Sequence, residues 1–213
     1  KQEKEVVGIY LSAHPLDDFK REMKYFSSAP LTALNDLDPL VNRELSFGGI
    51  VNAVDHRVSK TGKGWAIFQL EDFADQYEFK IFGEEYLKYR HFLIPNGFIR
   101  LRVKVVEGWR NRETGKVGAP RMQFNGFEML HDTLANNVKR LTLQLDIHQL
   151  NEDRVAQISE IIRSFKGEKP LMVDVFHSEE KIKLTLPSRK QKVQVTNEFL
   201  QLLEEVDLPY KLN

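Results

Sequence analysis

Two stretches of this chain place aromatic and cationic side chains together at a spacing that suits a nucleic-acid strand. Trp109, Arg110, Arg112 and Lys116 fall in one glycine-containing stretch, and Lys60 and Lys63 in another. An indole among guanidiniums can stack on a base while the charges meet phosphates, and each stacked base contributes roughly 1–3 kcal/mol. Trp65, Gln69 and Lys80 join them as outward positions on two strand-patterned runs. The plainer alternative makes both stretches solvated hairpin loops, with Trp109 closing one end of a barrel. Arg100, Arg102 and Lys104 form a further stripe opposite Leu101, Val103 and Val105. Such a stripe suits an exposed sheet face and could also meet phosphate.

Catalytic signatures are weak. Asp17 with Asp18, Asp36 with Asp38, and Glu71 with Asp72 are the raw material of a two-metal site. They lie on an amphipathic helix, in a turn and at a strand end, so a structural role is expected of each. The six histidines are scattered, with no HxH or HExxH spacing to hold a metal. Thr61-Gly-Lys-Gly64 lacks the phosphate-loop pattern, and no Ser stands in a nucleophile motif. With zero Cys there is no disulfide framework and no thiolate metal site, which fits a reducing cytosol. No catalytic residue, metal or cofactor is expected in this chain.

The elements that must position the loops follow from periodicity. Residues 2–12 and 16–26 read as two short helices broken at His14-Pro15, because a residue before proline is pushed out of the helical region. In the second, Leu16, Phe19, Met23 and Phe26 share a face. A turn-rich connector spans residues 35–39. From Leu45 the period becomes two, and residues 45–58, 65–72 and 77–82 read as strands, with a bend or bulge expected at Gly48-Gly49. Residues 82–93 read as a helix with Phe82, Tyr86, Tyr89 and Leu93 inward. Residues 98–107 and 120–130 supply two more strands. Three strands, a helix and two strands is the order of an OB fold, a five-stranded barrel.

After a connector at 132–140 the pattern changes. Leu141, Leu143, Leu145 and Ile147 alternate as in a half-buried strand. Asn151 caps a helix with Val155, Ile158, Ile161, Ile162 and Phe165 on one side. Residues 170–177 and 181–187 form a hairpin, Val193 and Val195 mark a short strand, and Thr196 or Asn197 caps a last helix with Phe199, Leu202, Leu203 and Val206 inward. Leu208, Tyr210 and Leu212 in the tail belong to no periodic run; they either fold back on the helix or dock on another protein. The fold class is mainly β with α+β: a helical lead-in (1–42), an OB domain (43–131), a connector (132–140) and a small α+β domain (141–213).

Net charge is zero over 213 residues, but residues 43–131 carry 14 Lys and Arg against 11 Asp and Glu. That is a mild basic bias, well short of a dedicated DNA-binding footprint. No apolar run approaches the ~20 residues of a membrane span, so no membrane partner is expected.

The opening run, Glu3-Lys-Glu-Val-Val-Gly-Ile-Tyr-Leu-Ser-Ala-His-Pro-Leu16, resembles the segment leading into the OB domain of the bacterial replicative polymerase family, the alpha subunits of DNA polymerase III. Glu3, Glu5, Gly8, Tyr10, Leu11, His14, Pro15 and Leu16 match, while Ala13 stands where the family usually has Gly. Gly62, Asp72, Phe82 and Gly108 also stand where that family's OB domains put similar residues. The α+β part resembles the C-terminal domain of the same polymerase chain.

The resemblance implies a non-catalytic, cytoplasmic C-terminal fragment of a DNA-directed DNA polymerase, a nucleotidyltransferase of chromosomal replication. Its OB domain would bind single-stranded template DNA, and its C-terminal domain, with Leu208, Tyr210 and Leu212, would contact the clamp-loader tau subunit among other replisome subunits. The chain begins with Lys rather than Met, as a fragment would. Catalysis, with Mg, would belong to the missing N-terminal portion. Two other readings stay open: a tRNA-type OB binder, for which residues 140–213 are too few to form a synthetase domain, and a protein-interaction scaffold with no nucleic acid in the groove.

Overall fold

From Glu44 the period of two carries through fifteen residues, and the chain forms one long strand, β1 (Glu44–Val58). The computed structural model describes residues 14–110, 113–177 and 179–213, and divides into two units, Lys1–Thr133 and Leu134–Asn213. In the first unit β1 is followed by β2 (Gly64–Glu71) and β3 (Gln76–Phe82). Two strands precede the second unit, β4 (Phe98–Val106) and β5 (Arg121–Met129). All pairs are antiparallel, in the spatial order β3-β2-β1-β4-β5. The arrangement is OB-like.

The strand pattern predicts a closed barrel, but no hydrogen-bonded pairing joins β3 to β5 among the described residues. Their inner faces meet through packing instead: the Phe79 and Phe124 rings lie 6.0 Å apart, and Phe68 of the adjoining β2 lies 6.1 Å from Phe127. The core is built by strict alternation. Ala66, Phe68 and Leu70 of β2, Phe79 and Ile81 of β3, and Leu101, Val103 and Val105 of β4 are all fully buried.

Gly48-Gly49 does not form the expected bulge. The register shift lies just beyond, between Val51 and Ala53. The two glycines serve close approach: a Cβ on Gly49 would stand 2.5 Å from the Glu71 carbonyl oxygen, and one on Gly48 would collide with Met23 Sδ.

The lead-in is part of this unit's packing. The expected helix over residues 16–26 begins as a 3-10 turn (Pro15–Phe19) and becomes helical only in α1 (Lys20–Phe26). His14 caps the turn: Leu16 N–H donates to its Nδ1 at 3.1 Å, and Asp17 accepts from the His14 N–H at 3.0 Å. Leu16 packs with Ile50 and Leu130 in a small cluster. Residues 31–40 form two further 3-10 turns, and Leu31, Leu34 and Leu40 enter the main core.

Asp72 holds that segment to the sheet. Its buried carboxylate accepts from Leu31 N–H at 2.7 Å and from Ala74 and Asp75 N–H at 2.8 Å each. Helix α2 (Gly83–Tyr89) then buries Tyr86 and Tyr89, followed by Leu93.

A short helix, α3 (Thr133–Asn137), comes before β6 (Leu141–Asp146), the first strand of the second unit. A crossover helix, α4 (Glu152–Ser164), leads to β7 (Lys166–His177), which runs parallel to β6. A parallel pair requires such a crossover. Asn151 caps α4 by accepting from Arg154 N–H at 2.7 Å. The hairpin partner β8 (Ile182–Val193) is one continuous strand, so Val193 ends it and does not belong to a separate one.

Thr196, of the two candidates, caps α5 (Asn197–Glu205). The inward set of α5 is Phe199, Leu200 and Leu203, while Leu202 and Val206 are half-buried. On α4 only Ile158 and Ile162 are buried, and Val155 is exposed. Ile147 has also left the strand, into an exposed 3-10 turn. The tail forms β9 (Tyr210–Leu212), antiparallel to β6, and the mixed sheet has the order β8-β7-β6-β9.

Two carboxylates generate predictions. Asp72→Ala leaves three N–H groups without their acceptor and should lower the unfolding free energy by roughly 2–4 kcal/mol in urea titration. In the second unit buried Asp174 accepts from Thr185 Oγ1 at 2.6 Å and pairs with Lys183 Nζ at 2.7 Å. Those two partners, Lys183 before Thr185, hold its carboxyl below the usual aspartate value. The stabilisation is therefore complete at neutral pH and disappears as pH falls below about 4 and through the depressed folded value. Asp174→Asn should flatten that acid limb in a series of thermal melts, leaving stability less dependent on pH than in the parent.

Candidate nucleic-acid interface

Alternation that buries Ala66, Phe68 and Leu70 sends Trp65, Ile67, Gln69 and Glu71 to the opposite face of β2, as expected. On β3 the same rule leaves Glu78, Lys80 and also Phe82 outward. Register then sets the rows. Arg57, Trp65 and Phe82 are cross-strand neighbours, as are Asp55, Ile67 and Lys80, and then Ala53, Gln69 and Glu78.

In the first row the Trp65 and Phe82 rings stack at 5.3 Å and 17°, and the Arg57 guanidinium lies 5.2 Å from the indole. Phe82 is 54% exposed. Helical spacing in the sequence predicts it inward, on the helix that follows. The strand runs through it instead, because Phe82 continues the outward series of Glu78 and Lys80, and α2 starts only at Gly83, whose φ is +57°.

The cations on this face are balanced locally. Arg57 pairs with Asp55 at 2.6 Å and Lys80 with Glu78 at 3.5 Å, while Asn52 donates to Glu71. Gln69 lies half-buried between these rows. A strand lying here would gain stacking more than charge.

Cations come from the loops. Residues 59–63 make a tight turn in which Gly62 N–H donates to Ser59 O and Ser59 N–H to Lys63 O, both at 2.9 Å. It leaves Lys60 and Lys63 exposed at the end of the hairpin that begins the Trp65 row. The loop between β4 and β5 narrows where Arg110 bridges to Val117 and Gly118 N–H donates to Trp109 O at 3.0 Å. Arg110 and Lys116 are exposed, and Arg112 lies outside the described residues. Trp109 is 77% exposed and does not close the barrel; the Arg121 guanidinium sits over it at 4.4 Å.

Glu85 ties α2 to β5, the strand that follows the Trp109 loop. It lies in the first turn of α2, just after Phe82, and its Oε1 accepts from Phe124 N–H at 3.0 Å. Burial raises its pKa, against the opposing pull of that hydrogen bond and of the Arg121 charge. Arg57, Phe82 and Arg121 thus join the candidate site, where the sequence reading does not put them. Arg57 and Phe82 could have been found by carrying alternation to the strand ends.

Other candidates fall elsewhere. Of the basic stripe on β4, Arg100 is committed inside the protein: Nε donates to Phe26 O at 2.9 Å and the guanidinium pairs with Glu128. Arg102 and Lys104 remain exposed. Of the carboxylate pairs, Asp17 bonds Lys20 at 2.9 Å and Asp36 accepts from Asp38 N–H at 3.1 Å. No group of three metal-ligating side chains occurs among the described residues.

The tail corrects another expectation. Leu208 is 2% exposed and so offers no surface to a partner. The chain reverses at Asp207, with φ +49°, and Leu208 N–H donates to Leu203 O at 2.8 Å, which turns its side chain inward. Tyr210 and Leu212 are half-buried in β9, and Tyr210 Oη donates to Glu204 at 2.7 Å. No described helix is long and apolar enough to cross a membrane.

Comparison with known proteins gives this geometry a context. Residues 141–213 match the family model that describes the C-terminal domain of the DNA polymerase III alpha subunit. A DNA polymerase III subunit alpha from Borreliella burgdorferi is 37% identical over 98 residues, 46% of this chain and 8% of that protein. The Pseudomonas aeruginosa protein of the same name is 24% identical over 207 residues, 96% of this chain and 16% of that protein. The Bacillus subtilis one is 26% identical over 186 residues, 85% of this chain and 15% of that protein. The chain thus spans a small part, between 8% and 16%, of these curated relatives. A solved structure titled a putative aspartyl-tRNA synthetase from Leishmania major Friedlin aligns with 93% of this chain and 52% of its own, at 9% identity and a TM-score of 0.32, too low to carry an argument. From the family match at its C-terminal end and the relatives that extend over nearly all of it, the chain is related to the C-terminal region of the DNA polymerase III alpha subunit.

Proposed function

We propose that this chain is a non-catalytic portion of a replicative polymerase, whose OB-like unit holds single-stranded template DNA while the second unit binds the clamp-loader protein tau. Nucleotidyl transfer, with its magnesium ions, belongs on this reading to the part of the polymerase outside this chain. The observation that carries the DNA reading is the Arg57–Trp65–Phe82 row, an exposed aromatic stack under a guanidinium. The Lys60/Lys63 turn leads into it, and Glu85, just after Phe82, bonds β5, the strand that follows the loop of Trp109, Arg110 and Lys116. Aromatic platforms beside basic loops are how OB folds take single strands without reading their sequence.

A second reading has its own support. Asp55 and Glu78 neutralise the Arg57 and Lys80 cations of the sheet face and Glu71 adds a further carboxylate, which suits a protein scaffold better than a phosphate backbone.

Titration of labelled oligo-dT by fluorescence anisotropy separates the two. On the DNA reading, Trp65→Ala with Phe82→Ala weakens binding by about one and a half to four decades at low salt, from roughly 1–3 kcal/mol for each of two lost stacks. Lys60→Ala with Lys63→Ala lowers affinity more modestly and flattens the salt slope by about 1.4, at roughly 0.7 per lost phosphate contact on a single strand. Absence of salt-sensitive binding in the parent chain would leave the scaffold reading standing.

For the second unit, immobilised tau should retain the parent chain. A variant lacking residues 209–213 strips β9 from β6 and should lose that retention, whereas Trp65→Ala should keep it. Retention unchanged in the truncated chain would remove the tail from the tau contact.

A further inference from the structure

The outer strand β8 carries an unusual combination. It lies at one edge of the second sheet, so one long side of its main chain has no strand partner among the described residues. Ile182, Leu184 and Leu186 are 58%, 56% and 44% exposed at alternate positions. They share a face with their register partners His177, Val175 and Val173. The segment 181–192 carries five cations, Lys181, Lys183, Arg189, Lys190 and Lys192, and no carboxylate.

Lysines on an edge strand commonly serve to prevent pairing. That protection works against a neutral strand or a second copy of this chain, which would set five cations against five. It fails against an acidic strand, for which the same charges are attractive. Lys183 is drawn to Asp174, leaving Lys181, Arg189, Lys190 and Lys192 as exposed cations. The acidic groups flanking the strand, Glu179 and Glu180, stand in the hairpin turn at one end. Pro187 lacks an N–H, which limits added pairing to the run 182–186 before it.

We propose that β8 recruits an extended acidic segment of another protein, which adds to the sheet edge as a fifth strand. Its alternate apolar side chains cover Ile182, Leu184 and Leu186, and its carboxylates face the cations beyond them. Strand addition of this kind takes affinity from the main chain and specificity from alternate side chains. The proposal does not rest on the tau reading, which concerns the opposite edge, β9.

The test uses the whole chain and a fluorescein-labelled peptide of about eight residues alternating Glu with Val. A matched peptide carries Lys in place of Glu. The acidic peptide should bind, with shifts in amide NMR resonances concentrated at residues 182–186, and the basic peptide should bind at least tenfold more weakly. Ile182→Glu with Leu184→Glu, and separately Lys190→Glu with Lys192→Glu, should each weaken the acidic peptide about tenfold or more. Their far-UV circular dichroism should stay that of the parent.

Equal binding of both peptides, no binding of the acidic one, or shifts centred elsewhere would overturn the proposal. So would displacement of the peptide by oligo-dT, which would make the strand a nucleic-acid contact. Because the shift map is read on the parent chain, it decides the matter even if a variant fails to fold.

Discussion

The OB-like unit depends on one strand serving two partners. β1 pairs with β4 over residues 44–50 and with β2 over residues 50–58, changing neighbour at Ile50. A flat strand cannot do this without driving the two half-sheets apart. The change is accommodated by local backbone: Gly49 lets the Glu71 carbonyl come within a distance no Cβ would allow, and the register shift after Val51 adds curvature. The candidate site follows from that bend. It brings the aromatic interiors of β2, β3 and β5 onto one core, and it sets the row in which Arg57, Trp65 and Phe82 meet.

Carboxylates that a motif search would offer as metal ligands act here as connectors. Asp72 gathers backbone donors from its own turn and from Leu31, so the segment before the barrel is held by a buried charge with three hydrogen bonds. A buried carboxylate is tolerable only with such compensation. Glu85 ties the α2 start to β5, and Asp174 joins β7 to β8. In each case the donors are supplied by the fold, and the acidic group has little left to offer a cation.

The same accounting explains the character of the proposed interface. Its strand face pairs its own cations with its own carboxylates, so long-range attraction is weak there. Loop lysines and arginines, exposed on long stems, are the groups left to meet phosphate, while the sheet presents rings. Division of that kind places orientation on the sheet and charge on the loops. It also fits a chain whose net charge is zero.

Local pattern alone determined the strands of the first unit and their order, the alternation of β2, β3 and β4, the cap at Asn151, and the relation to the polymerase. Those features depend on residues near one another in the chain, where side-chain period and turn chemistry act directly. Tertiary structure decided the rest. Phe82 became a stacking surface because Trp65, seventeen positions away, lies across from it. Leu208 became core because the chain reverses at Asp207 and β9 finds β6 nearly seventy residues back. Gly48-Gly49 became a contact because Met23 and Glu71 arrive there from distant segments. Arg121 joined Trp109 only once the loop had folded on itself. In each case the deciding partner is remote in sequence, and periodicity carries no information about what stands opposite.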